Sequence, residues 1–90
     1  MNVIRYWNDR YLDGKGSGKG SRGRQANRKA AYVNRLVRQR RISSIIDWGC
    51  GDGRVCSRLH VGSYTGIEVS PAALDLARKA ADGPGRRWHV

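Results

Sequence analysis

Two acids, each closing a short β-branched run, and a glycine-rich turn behind the first of them carry the chemistry in this chain. The first stretch is Ile45-Ile46-Asp47-Trp48-Gly49-Cys50-Gly51-Asp52-Gly53; the second acid is Glu68, within Tyr64-Thr65-Gly66-Ile67-Glu68-Val69-Ser70-Pro71. Gly49 lets the chain leave a strand in a backbone conformation that a side chain obstructs. Gly51 lets the backbone approach a ligand with no Cβ in between, and Gly53 is expected to let the next helix pack tightly on the sheet. Glu68 follows Gly53 by 15 residues, close to where a ribose-binding acid belongs in a nucleotide-binding sheet. A carboxylate there accepts hydrogen bonds from both ribose hydroxyls, a paired charge-assisted contact. The plain alternative is a solvated acid at a strand end. The chemistry these residues suit is the capture and orientation of a nucleoside.

The elements that must position them can be read from period and punctuation. Strands are expected near 44–48, 63–68 and 86–90, and helices near 25–40, 53–60 and 71–81. Strand, tight loop, helix and second parallel strand form the first half of a nucleotide-binding α/β sheet. Ser70 caps the last helix and Pro71 takes its first turn, where proline forfeits no hydrogen bond. Ala73, Leu74, Ala77 and either Ala80 or Ala81 recur at helical spacing as its buried stripe. On the helix over 25–40, Ala26, Ala30, Val33 and Val37 share one face, with Arg24, Arg28, Arg35 and Arg38 opposite. Trp88 is expected to pack within the third strand.

The glycine spacing separates cofactor classes. Nicotinamide and flavin folds prefer G-x-G-x-x-G, with a pyrophosphate over the helix N-terminus; here the third glycine comes one place earlier, at Gly53, and position 54 is Arg54. The lysine-bearing run Gly14 to Ser21 is not a phosphate loop, because no glycine stands five residues before a Gly-Lys-Ser/Thr triplet.

With D-x-G-x-G-x-G at Asp47 to Gly53, Glu68 after the second strand and Val69 to Arg78 behind it, the chain resembles class I (Rossmann-like) S-adenosylmethionine-dependent methyltransferases. The resemblance implies a truncated Rossmann-like fold of about three parallel strands in the order 3-2-1. It implies S-adenosylmethionine as cofactor, with Asp47 near its amino group, Gly49, Cys50, Gly51 and Gly53 along its length and Glu68 on its ribose. A complete member of the family needs roughly twice this length. The chain is therefore expected to be the N-terminal, cofactor-binding half, without the strands that carry catalytic and acceptor-gripping residues. In the family the first strand lies beside the fourth, so its edge here is expected to be bare and apolar, a template for association. A homodimer, a complementing chain, or cover from the N-terminal segment would each satisfy it. Related methyltransferases, many of them phage-encoded, open with a similar aromatic, acid, Arg and Tyr cluster before a Gly/Ser loop. By that likeness Trp7, Arg10, Tyr11, Ser21 and Arg22 belong to a lid over the donor; the bland reading is a flexible linker.

The domain division follows: residues 1–24 as a basic, Gly/Ser-rich arm and 25–90 as a partial cofactor-binding α/β domain. Charge divides the chain at almost the same place. Residues 1–41 hold twelve Lys or Arg against two Asp, while residues 42–90 are nearly neutral, out of a net +11. Such a field attracts polyanions, nucleic acid first, and Arg24, Arg28, Arg35 and Arg38 are the expected contacts, against the alternative of a solvated helix face. Two cysteines make no disulfide framework and no metal-type spacing, so a metal is not expected; Cys50 should line the loop and Cys56 be buried. No apolar stretch matches a signal peptide or membrane span, and the expectation is a cytoplasmic methyltransferase with no membrane partner. The alternative from another class is a non-catalytic basic module, binding nucleic acid or protein, on the same fold. The methyl acceptor and catalytic residues are not written in the sequence.

Overall fold

A computed structural model describes residues 2–14 and 23–90 of the chain. In chain order they form α1 (Val3–Leu12), α2 (Gly23–Arg40), β1 (Ser44–Trp48), a single 3-10 turn (Cys56–Arg58), β2 (Ser63–Ile67), α3 (Pro71–Ala81) and β3 (Arg86–His89). The strands make one parallel sheet with β2 in the centre, the expected 3-2-1 order. Its register sets Asp47 beside Gly66 and Gly66 beside Trp88.

Local chemistry explains most of these elements. The Ser70 hydroxyl accepts the Ala73 N–H at 3.1 Å to open α3, and Pro71 occupies its first turn. Ala73, Leu74 and Ala77 are buried, and the stripe continues through Ala81, which packs on the core, rather than through exposed Ala80. On α2, Ala26 and Ala30 are buried and Val33 and Val37 half-buried, whereas the four stripe arginines are exposed. Trp88 lies over Gly66, where an added Cβ would come within 2.9 Å of its ring, and its indole N–H donates to Asp82 at 3.0 Å. That bond holds the Asp82 carboxyl below its ordinary value.

Residues 53–60 do not form the expected helix. Gly53 has φ +95, and Val55, Ser57 and His60 are weak helix formers. Asn34, a buried polar residue on the inner face of α2, takes two backbone groups at the end of this stretch, one of which, the His60 N–H, a helix would pair with the Cys56 carbonyl. Its amide donates to the Arg58 carbonyl at 2.9 Å and its oxygen accepts the His60 N–H at 2.7 Å. The single turn that remains delivers Cys56 and Leu59 into the core beside Ala30, Tyr64 and Leu74.

Gly53 also serves a different helix from the one expected. A Cβ there would lie 2.9 Å from the Ala77 Cα and 3.1 Å from the Ala80 Cβ. The close approach is thus between the loop after β1 and α3, the helix that follows β2.

The opening segment is more regular than an arm. Asn2 caps α1 by accepting the Arg5 N–H at 3.0 Å. One turn further, the Asn8 side-chain oxygen accepts both the Ser70 hydroxyl and the Ala72 N–H, each at 2.9 Å. A residue of α1 thereby satisfies an orphan N–H in the first turn of α3. Ser21 and Arg22, expected in a lid, lie outside the described residues.

Candidate functional site

The carboxyl ends of parallel strands are where an open α/β sheet places its ligands, and a cavity of roughly 740 Å³ opens there, at the ends of β1 and β2. Asp47, Gly49, Cys50 and Glu68 line it. The loop behind them is tied to β2, because the N–H groups of Gly49 and Cys50 both donate to the Ile67 carbonyl, at 2.7 and 3.1 Å. Gly49, Gly51 and Gly53 all have positive φ, the condition for so tight a path.

Glu68 is the best-held acid in the site. It is 7% exposed. One carboxylate oxygen accepts the Gly51 N–H at 3.2 Å and the other the Ser70 N–H at 2.7 Å. A carboxylate offers about four lone-pair positions, so two remain free to accept from a ligand. Gly51 is therefore a backbone donor to Glu68, and neither Gly51 nor Gly53 is among the residues that line the cavity. Their glycine identity shapes the loop from behind.

Asp47 is oriented by a partner 17 residues away that no local signal announces: the Tyr64 hydroxyl donates to its carboxylate at 2.7 Å. Tyr64 is fully buried, and burial, with the bond to Asp47, drives its hydroxyl pKa upward. Burial likewise raises Cys56 and pushes Cys50 up to about 12, with Cys56, Asp47 and Glu68 adding to it. Both free thiols are neutral at physiological pH, which fits Cys50 as a wall of the cavity and not as a nucleophile.

Of the residues expected in a lid, Trp7 and Tyr11 do line the cavity, and the Arg10 guanidinium sits over the Trp7 ring at 5.8 Å. Arg24, Arg28, Arg35 and Arg38 stand apart from it on the outer face of α2. Sequence reasoning missed Asp52, Trp48 and Lys29, which also line the cavity. Asp52 was visible as an acid inside the glycine motif; it is buried and pairs with Arg54 at 3.2 Å. Lys29 had no signal, since its role depends on how α2 lies against β1. A second cavity of roughly 330 Å³ runs between those two elements and shares Lys29, Asp47 and Val55 with the first. Among the described residues no cluster of His, Cys, Asp and Glu could hold a metal ion, and no helix is long and apolar enough to cross a membrane.

Comparison with known proteins adds to this geometry. The family described as "Methyltransferase domain" matches residues 46–90, from within β1 to the end of β3. The fold is similar to the crystal structure of a SAM-dependent methyltransferase from Anabaena variabilis, with a TM-score of 0.67 and 22% identity. That match covers 100% of this chain and 40% of the other, so the chain spans less than half the length of its solved neighbour. No curated protein matches the chain.

Proposed function

The chain belongs to the methyltransferase-domain family, and from that premise we propose that it binds S-adenosylmethionine as the donor-holding half of a methyltransferase. The single observation that carries this reading is Glu68. Its carboxylate is fixed by two backbone N–H groups at the edge of the cavity, with acceptor capacity left for a pair of ribose hydroxyls.

The remaining residues fit the same ligand. A volume of roughly 740 Å³ lies within the usual range for nucleoside-sized ligands. Asp47, with one oxygen engaged by Tyr64, has the other for an ammonium group. Gly49 and Cys50 offer a small, uncharged wall. Trp7 and Tyr11 supply aromatic surface from α1 that excludes water, the part of the lid reading that the described residues support. When bound, the donor supplies an electrophilic methyl group on a sulfonium, so the protein chiefly binds, orients and excludes water. In this reading the acceptor-gripping and catalytic groups belong to strands beyond the three described here.

Calorimetric titration with S-adenosylmethionine tests the proposal. Micromolar binding is expected, weakened at least about a hundredfold in Glu68→Ala, the loss of two hydrogen bonds to a charged group. In Glu68→Gln the amide N–H₂ would face the N–H of Gly51 or Ser70, so an equal loss is expected despite the matched size. Absence of binding to the native chain would remove the proposal.

A further inference from the structure

From the placement of cations and aromatics on α2 we infer a docking surface for single-stranded nucleic acid, which makes a nucleic-acid base the methyl acceptor. The inference rests on the donor-binding reading for its second half only. α2 carries six Lys or Arg and no acid along its length. None of the ion pairs among the described residues involves it: these are Arg5–Asp9, Arg54–Asp52 and Lys79–Asp75. A helix face that is merely solvated usually interleaves both signs. Arg24, Arg28, Arg35 and Arg38 fall on one exposed stripe about 21 Å long, enough to follow the backbone of several nucleotides.

The stripe connects to the site. Tyr32 and Lys29 lie on the flank of α2 between the stripe and the buried face, and both line the groove against β1. Tyr32 is 56% exposed, with the Arg35 guanidinium over its ring at 5.7 Å. An exposed aromatic beside a cationic track is the arrangement on which single-strand bases stack. Lys29 continues from the groove into the donor cavity, giving a phosphate or a base edge a cation at the junction. An anionic membrane fits less well. Surface-bound helices need an exposed apolar face, and the apolar face of α2 is spent inside the fold, where Ala26 and Ala30 are buried.

The test uses the full chain with fluorescently labelled 12-nucleotide single strands of DNA and of RNA, a duplex of the same length, and phosphatidylserine vesicles. Four phosphate contacts predict a log–log salt slope of about −3, equivalent to an affinity loss of about fiftyfold between 50 and 200 mM salt. Arg28→Gln with Arg35→Gln should flatten that slope by about 1.4. Tyr32→Ala should weaken binding roughly tenfold and leave the slope unchanged. A preference between the DNA and RNA strands shows which of the two the surface holds. Duplex or vesicles bound as tightly as single strands, or no response to the α2 substitutions, would overturn the inference. Glu68→Ala separates the two readings, because it should weaken donor binding at least about a hundredfold and leave strand binding intact. Strand binding without donor binding retains the docking surface and discards the acceptor assignment; donor binding without strand binding discards both and leaves only the donor-binding reading.

Discussion

The two faces of the sheet are built from alternate residues of the same three strands, and they have different fates. One carries Ile45, Asp47, Tyr64, Gly66 and Trp88. There Tyr64 is fully buried, Trp88 packs against it with ring centroids 5.6 Å apart, and Ile45 joins the core cluster. The opposite face carries Ile46, Trp48, Thr65 and Ile67, and none of its residues is buried; Ile46 is 64% and Trp48 78% exposed. Parallel sheets are almost always covered on both faces. The difference teaches where this fold takes its stability, and where it presents unsatisfied apolar surface. Everything that shapes the cavity at the strand ends from behind, including the Tyr64–Asp47 bond and the Gly53–α3 contact, belongs to the packed side.

The largest effect is expected from breaking the packed side at its tightest point. Gly53→Ala adds a Cβ 2.9 Å from backbone at a φ of +95, combining backbone strain with overpacking, and should cost about 3 kcal/mol. Gly49→Ala shares a positive φ of +80 but would meet nothing within 4 Å, and should cost only about 1 kcal/mol from conformation. Urea midpoints of the two variants measure the contribution of close packing directly; equal losses would mean that backbone conformation alone requires glycine in this loop.

A second way to sharpen the contrast is alkaline pH. Cys50 moves from an ordinary 9.0 to about 12 on folding, chiefly through burial, and Cys56 and Tyr64 on the same packed side move the same way. The unfolded chain releases these protons first, so stability is fully present below pH 9 and falls as pH rises toward about 12. Iodoacetamide at pH 8 should label the native thiols far more slowly than the urea-unfolded ones. Native labelling at the unfolded rate would show that the packed side is open to solvent.

How much of this was legible in the sequence follows from the range of each signal. Local chemistry reads well: Ser70 and Pro71 announce α3, and the short β-branched runs that end in Asp47 and Glu68 announce strands. The glycine loop and Glu68 were recognisable because their spacing is fixed by the backbone path between two adjacent strands. What stayed hidden depends on side chains meeting across long separations. Asn34 reaches the backbone at 58 and 60, and so replaces a helix with one turn. Asn8 reaches the start of α3, which turns an apparent arm into a docked helix. Gly53 looked like a partner for the next helix because proximity in sequence was the only guide to proximity in space. The Asn2 cap before an aromatic run at helical spacing was a readable signal for α1, obscured by the charge and glycine that follow it.

The smallest effect on stability should come from the exposed face, and Ile45 and Ile46 make the cleanest pair, since neighbours in a strand point to opposite sides. Ile45→Lys puts an ammonium against the core cluster and should cost about 2 to 3 kcal/mol. Ile46→Lys, on the side that is 64% exposed, should leave the urea midpoint within about 0.5 kcal/mol of the native value. Its consequence should lie in association instead. Among the described residues β1 is an edge strand with apolar surface beside it, a template for pairing with a second copy. Sedimentation of the native chain should therefore show mass rising with concentration, and Ile46→Lys should suppress that rise. If Ile46→Lys instead lowers stability as much as Ile45→Lys, the face is covered within the single chain, and the contrast between the two sides of the sheet disappears.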